Sequence, residues 1–216
     1  MPLEKMNEFF DTRADTYDHH MLVDLALDEF YEEIAKCVQT DNRLLKLLDV
    51  GCGTGIELQR LFSKYPDMSV AGVDLSPEML NQLQTKYPDK NTKIICGSYF
   101  DVPFGNEFDV VLSTYSLHHW NENEKLIIYQ KCFNALTDNG VFINGDYTCK
   151  TVDQEQHFQS ELIRLRQEEM LTDDEFYHYD IPLTVETETR LLYAAGFAAV
   201  ELVKAWENTS ILIARK

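Results

Sequence analysis

The sequence predicts an α/β fold: a doubly wound, mostly parallel sheet of seven strands that ends in an antiparallel hairpin, with helices on both faces. Three observations carry this expectation. Strand-length apolar runs alternate with helix-period segments through most of the chain. The first apolar run breaks into glycines just ahead of a helix, the opening unit of a nucleoside-binding α/β sheet. The last two runs, AAVELVKAW and TSILIARK, are joined by only a few residues, which suffices for a hairpin and is too short for a parallel crossover.

Composition sets the limits. A chain of 216 residues has room for one such domain with a full core and is short for two. Its 19 Lys and Arg against 37 Asp and Glu leave a charge of −18, which opposes a nucleic-acid partner, because such binding draws on basic contacts to phosphate. A small molecule is the expected partner. Cys37, Cys52, Cys96, Cys132 and Cys149 are scattered, odd in number and without metal-ligand spacing, so no metal site is predicted. They read as reduced, mostly buried thiols of a cytoplasmic protein. The sequence lacks an apolar run of the roughly 20 residues that span a bilayer, and its N-terminus lacks a signal-peptide pattern, so no membrane association is expected.

The first strand is the run Leu44, Leu45, Leu47, Leu48 and Val50, apolar enough to be buried on both faces. Gly51, Gly53 and Gly55 follow at alternate positions, allowing a tight turn with unusual backbone angles and no β-carbons between main chain and ligand. A helix is predicted over 56–65, with Pro66 ending it. The second strand, 68–73, runs into Asp74, 19 residues after Gly55, where an acid can accept hydrogen bonds from ribose hydroxyls. The alternative, a helix-capping or solvated acid, is weakened because Ser76-Pro77 already supplies the cap and first turn of the next helix.

LDVGCGTG followed by VAGVDLSPEML closely resembles the first two motifs of the class I S-adenosylmethionine (SAM) dependent methyltransferases of small-molecule type, and the resemblance covers most of the chain. It implies a Rossmann-like fold, SAM as cofactor and S-adenosylhomocysteine (SAH) as product. It further implies that the loop of Gly51, Cys52, Gly53 and Gly55 lies along the methionine and ribose of SAM. Asp74 would hold the ribose hydroxyls beside Leu75, and Asp49 would position the loop or the cofactor's amino group. The rival ligand is a dinucleotide, whose G-x-G-x-x-G spacing serves a pyrophosphate. Here Ile56 stands where the last glycine of that pattern would fall, which favours a ligand without phosphate.

The remaining elements follow in order. Residues 1–40 precede the first strand by more than a lead-in requires, and FFDTRADTYD resembles the N-terminal element that folds over the cofactor in many small-molecule methyltransferases, with a tyrosine at the position of Tyr17. The alternative is a helix packed on the sheet edge. A structural helix is predicted over 23–38, a short amphipathic one after Ser76, and a third strand over 92–96. GSYFDVPF, 97–104, resembles the family's adenine loop, but Ser98 stands where an acid is usual. By that resemblance Ser98 would face the adenine and the Tyr99 backbone would reach a ring nitrogen, while Asp101 reads as a turn residue. The fourth strand, from Phe108 to Ser113, places Ser113 among the residues expected beside the cofactor, and a polar, aromatic loop continues to Trp120. A helix capped by Asn121, with Glu124 completing a variant capping box, is predicted to bury Leu126, Ile127, Cys132, Phe133 and Leu136 before TDNG closes it. After a fifth strand, 141–147, residues 148–182 form an insertion with a helix near 155–170 and the acidic, aromatic stretch LTDDEFYHYD. By the family resemblance this insertion helps to form the acceptor pocket; the alternative is packing over the sheet or against a second copy in a homodimer. A last helix, 186–195, stops at Gly196. The whole of 1–216 is thus expected to be a single methyltransferase domain.

The chemistry asks little of the protein. The methyl of SAM is activated by its sulfonium leaving group, so holding a nucleophile in line about 3 Å from carbon supplies much of the catalysis. An oxygen or nitrogen acceptor that must lose a proton benefits from a base, and His118 and His119, at the end of the fourth strand, are the candidates. His118 is favoured by strand alternation. The alternative is that both merely cap or pack. Tyr17 or Tyr115 could turn an aromatic face to the sulfonium. The expected function is methyl transfer from SAM to a small-molecule acceptor; the alternatives are a protein that uses the same pocket to modify or sense SAM, and an unrelated nucleotide-dependent oxidoreductase.

Overall fold

The computed structural model describes residues 2–39, 44–172 and 175–216. The strands are β1 (Lys46–Val50), β2 (Ser69–Asp74), β3 (Thr92–Cys96), β4 (Phe108–Thr114), β5 (Leu136–Cys149), β6 (Leu183–Thr184), β7 (Ala199–Ala205) and β8 (Thr209–Arg215). They lie in the order β3-β2-β1-β4-β5-β8-β7, with β6 beside β5. The pairs among β1 to β5 are parallel, whereas β8 runs antiparallel to both β5 and β7. This is the predicted doubly wound sheet with its terminal hairpin. The two-residue β6 is an addition that the sequence did not announce.

Period-two alternation divides the core between the two faces. Leu47, Val70, Val110 and Ile143 face α3 (Asp28–Cys37), α4 (Leu58–Lys64) and α5 (Pro77–Lys86), which contribute Phe30, Ile34, Leu58, Leu61 and Leu83. Leu48, Val73, Val111 and Phe142 face α6 (Glu122–Ala135) and α8 (Val185–Ala195), which contribute Ile128, Tyr129, Cys132 and Leu192. α7 (Val152–Glu168) belongs to the insertion, and α1 (Met6–Asp11) and α2 (Tyr17–His19) to the N-terminal segment. Among the described residues no helix is long and apolar enough to cross a membrane.

Several boundaries move for identifiable reasons. The helix expected from residue 23 begins at Asp28, because residues 20–24 form a π turn and Ala26 takes a left-handed conformation (φ 53°). TDNG does not close α6: that helix ends at Ala135, and Leu136 pairs at once with Phe108 in an extended strand whose register shifts before Val110. α6 also presents a different face, burying Lys125 completely while Ile127 is 48% exposed. A buried acid explains this rotation, since Lys125 Nζ and the Tyr129 hydroxyl both donate to the carboxylate of Glu188 on α8. α7 starts at Val152, earlier than expected, on a capping box formed by Thr151 and Gln154. Of the LTDDEFYHYD stretch, residues 173 and 174 lie outside the described residues. Only Cys52 and Cys132 of the five cysteines are buried; Cys37 and Cys149 are partly exposed and Cys96 is exposed, and all five are unpaired.

Candidate active site

The glycine loop leaves the carboxyl end of β1 with positive φ at Gly51 (79°), Gly53 (46°) and Gly55 (68°). At Gly51 a β-carbon would come within 2.0 Å of Ser116 Oγ, whereas at Gly53 it would meet open space. The loop is held from the end of β2. Gly51 N–H donates to the Val73 carbonyl at 2.8 Å, and Gly53 N–H donates to Asp74 Oδ2 at 2.9 Å. Asp74 Oδ1 in turn accepts from Ser76 N–H at 2.9 Å. Each Asp74 oxygen so far accepts one backbone hydrogen and retains a second acceptor site.

A narrow cavity of about 40 Å³ lies over this loop. Of the residues predicted to meet the cofactor, Tyr17, Gly51, Gly53, Asp74, Leu75 and Tyr99 stand in its wall. The others support it from behind. Cys52 sulfur packs toward Gly72, and Gly55 lies against Leu58 and Leu83. Ser113 Oγ donates to the Val50 carbonyl at 2.8 Å. Ser98 is not in that wall; its Oγ accepts from Phe100 N–H at 3.2 Å in a local turn. Met6, Phe10, Met79 and Ser116 also wall the cavity; none was expected there as a site residue, although Phe10 and Met79 lie inside the quoted motifs.

Asp49 is fully buried, and its carboxyl has Glu57 as its neighbour and no other hydrogen-bond partner. Burial and the neighbouring Glu57 push its pKa well above the usual carboxylate range, and burial raises Glu57 and Asp74 as well. A group of three buried carboxyls beneath a glycine loop, each disfavoured as an anion until a positive charge arrives, suits a cationic ligand. SAM carries a sulfonium and an ammonium, so buried carboxyls beside the open space at Gly53 fit it.

The N-terminal segment closes this cavity from above. Asp11 Oδ1 accepts from Ser76 Oγ at 2.6 Å, Asp15 Oδ1 accepts from Gln82 Nε2 at 2.6 Å, and Asp18 Oδ1 accepts from Thr54 Oγ1 at 2.5 Å. The other Asp18 oxygen pairs with Lys86. These acids come from the end of α1, the turn that follows it and α2. The segment is also tied to the insertion: Met6 N–H donates to the Phe176 carbonyl at 2.8 Å and His178 N–H to the Glu4 carbonyl at 2.9 Å.

A second cavity, of about 440 Å³, adjoins the first and shares Phe10, Tyr17, Tyr115 and His119 with it. Tyr115 is held there in a strained backbone conformation (φ 46°), with its hydroxyl 3.1 Å from Thr209 Oγ1. His118 and His119 form a short 3₁₀ turn after β4. His118 Nδ1 lies 2.6 Å from Asp146 Oδ1, at the end of β5, and its Nε2 lies 3.3 Å from Asp180 Oδ1. Burial opposes charge on the His118 ring, but Asp146 and then Asp180 override it and raise its pKa to about 9. His119 is lowered by burial and by the charge of His118. Its Nδ1 donates to the Tyr179 carbonyl at 3.2 Å, leaving a buried Nε2 without a hydrogen-bond partner.

The insertion delivers His178 and Asp180 to the same cavity. Ile181 N–H donates to the His118 carbonyl at 2.8 Å, which fixes Asp180 over the histidine pair. His178 is stacked on Phe9, ring centroids 3.4 Å apart, and burial and then His119 lower its pKa to about 4. Sequence reading missed His178, Asp180 and Asp146. The stretch around the first two was recognised as acidic and aromatic, but its proximity to residues 118 and 119 is a long-range fact of the fold.

Comparison with known proteins agrees with this geometry. Residues 47–140, from β1 into β5, match the family model described as a methyltransferase domain. Carboxy-S-adenosyl-L-methionine synthase of Helicobacter pylori (strain Shi470) is 26% identical over 231 aligned residues, covering 99% of this chain and 92% of that protein. Malonyl-[acyl-carrier protein] O-methyltransferase of Priestia megaterium is 27% identical, covering 64% of this chain and 51% of the relative. Among solved structures, the DhpI–SAH complex superposes with a TM-score of 0.72 at 16% identity, covering 97% of this chain and 94% of that one. Residues 47–140 thus match a methyltransferase domain, and the chain as a whole shares the fold of the DhpI–SAH complex.

Proposed function

We propose that this enzyme transfers the SAM methyl group to a small-molecule acceptor bound in the 440 Å³ cavity, and that the reacting atom lies where the two cavities meet. The observation that carries this reading is the shared wall of Phe10, Tyr17, Tyr115 and His119, which brings acceptor space directly against cofactor space. SAM supplies the electrophilic methyl; the chain's part is to bind, orient and exclude water. Tyr17 and Tyr115 frame the junction with aromatic faces, which favour a cation. The histidine pair removes the acceptor's proton. His119 is the better placed of the two, because its Nε2 is unpartnered in the shared wall while His118 Nδ1 is committed to Asp146. The order is therefore the reverse of the one strand alternation suggested, since a 3₁₀ turn replaces the strand at these residues.

The remaining assignments belong to the same reading. Residues 1–216 act as one domain, with 1–40 as the cofactor cover and 148–182 as the acceptor wall. Asp24 and Asp180 line the acceptor cavity, and its Arg13 is paired with Glu4, so the acceptor is neutral or cationic. A charge of −18 supports a partner other than nucleic acid, and unpaired cysteines support a cytoplasmic location without a membrane partner. A homodimer is the alternative use of α7, where Val152 and Ile163 are exposed.

The test is methyl transfer from labelled SAM into a metabolite pool, followed by turnover against pH for His118→Ala and His119→Ala with the acceptor found. A base costs about 10²-fold or more in turnover with SAM affinity near normal. SAM binding with no labelled product would favour a sensing or cofactor-modifying role, and unchanged pH profiles in both variants would leave positioning alone.

A further inference from the structure

His118, His119, His178 and Asp180 come from two segments about 60 residues apart, and their imidazoles surround one carboxylate oxygen. Asp180 Oδ1 lies 3.3 Å from His118 Nε2, 3.3 Å from His119 Nδ1 and 3.9 Å from His178 Nε2. That oxygen is buried yet has no partner in hydrogen-bond geometry. One ligand atom each from His118, His119 and Asp180 lies within 4.8 Å of the others.

These separations have a simple geometric meaning. Two nitrogen or oxygen ligands about 2.0–2.1 Å from one ion are about 3.3–3.4 Å apart at tetrahedral angles. The contacts of Asp180 with His118 and His119 already match that edge once His119 takes the tautomer that bares Nδ1 in place of its hydrogen bond to the Tyr179 carbonyl; His178, 3.9 Å from the same oxygen, stands farther out. The surroundings are those of a metal ligand too. His118 carries a buried carboxylate, Asp146, on its other ring nitrogen, which fixes the tautomer that points Nε2 at Asp180. Asp146 is itself fixed by the N–H groups of Leu117 and Tyr147, each at 2.9 Å.

We propose that His118, His119 and Asp180, with His178 beside them, bind a divalent transition-metal ion of zinc type in the acceptor cavity. Imidazole with one carboxylate suits zinc, cobalt or iron(II), and does not suit magnesium or calcium, which take oxygen ligands. The proposal deepens the acceptor reading, on which its catalytic meaning rests. A hydroxyl of the acceptor completes the ion's coordination, loses its proton to solvent at a lowered pKa, and attacks the methyl through a remaining oxygen lone pair as the C–S bond of SAM breaks; with the ion bound, His119 is a ligand and not the base.

The experiment uses the full chain stripped of metal with a chelator and titrated with Co²⁺, read by visible d–d absorption, and with Zn²⁺ by calorimetry. Neither SAM nor an acceptor is added, so the outcome is independent of whether methyl transfer has been read correctly. We expect one ion per chain with a tetrahedral cobalt spectrum. Asp180→Asn, at a partly exposed position, should weaken binding about 10-fold or more with the fold intact by circular dichroism, and Asp146→Asn should weaken it about 10- to 100-fold. The double variant His19→Ala/His20→Ala, which removes the other histidines of the cavity, should bind as wild type. A wild-type chain that gives no cobalt spectrum would overturn the proposal, leaving the cluster as a proton-holding network. So would binding that survives Asp180→Asn and disappears in the His19/His20 variant.

Discussion

Asp74→Ala tests the cofactor site most directly. The carboxylate stands in the wall of the narrow cavity, and each oxygen accepts one backbone N–H at 2.9 Å, from Gly53 and from Ser76. Each oxygen can accept once more, which matches two ribose hydroxyls. A hydrogen bond to a charged group contributes about 1.5–3 kcal/mol, so losing two costs about 3–6 kcal/mol, or about 10²- to 10⁴-fold in Kd. Even if one bond is replaced by water, the loss exceeds tenfold. Folding should survive, because burial raises the pKa of Asp74: losing two backbone bonds is offset by relief of a disfavoured buried charge. Asp74→Asn, which keeps one acceptor, should fall between. Calorimetric titration with SAM and SAH, on protein whose circular dichroism matches wild type, measures the effect. Unchanged affinity in a folded Asp74→Ala protein would refute both the ribose assignment and the identification of the cavity.

Asp49→Asn should separate stability from binding. Because burial and Glu57 raise the folded-state pKa of Asp49, the folded chain holds a proton that the unfolded chain releases, so wild-type stability falls as pH rises above the unfolded value of about 3.8. The variant lacks this loss: without cofactor its Tm should exceed wild type at neutral pH, the gain should vanish below about pH 4, and SAM should bind more weakly. A lower Tm at pH 7 would contradict the assignment. Glu188→Gln leaves the fully buried Lys125 without its counter-charge and should cost about 3–5 kcal/mol in urea unfolding; a change below about 1 kcal/mol would show that Lys125 reaches water.

The fold was readable because its signals are local. The glycine run, the Ser76-Pro77 and Asn121 starts and the short C-terminal link each follow from a few adjacent residues, and each stands where expected. The α6 face was misread because pairing Lys125 with Glu188 needs α8 alongside, which periodicity within one helix does not contain. The cofactor side was partly legible for the same reason: Asp74 and Gly51 belong to motifs, whereas Ser98 carries a motif position without the motif's acid and turns to its own backbone. The acceptor side was least legible. His118 and His119 are adjacent in sequence, but Asp146, His178 and Asp180 reach them only after the chain has crossed the sheet and returned.

The three carboxylates that fasten the N-terminal segment to the glycine loop and α5 bear on the order in which ligands come and go. Phe10 and Tyr17 belong to that segment and wall both cavities, so an acceptor already seated would rest on the roof that must lift for cofactor exchange. The enzyme should therefore follow a compulsory order, SAM first and SAH last, in which SAH competes with SAM but not with the acceptor. Asp18→Asn, which weakens the hold on Thr54 and Lys86, should speed SAH departure. Initial-rate patterns of product inhibition read this out, and a random-order pattern would mean that the roof opens without regard to what lies beneath it.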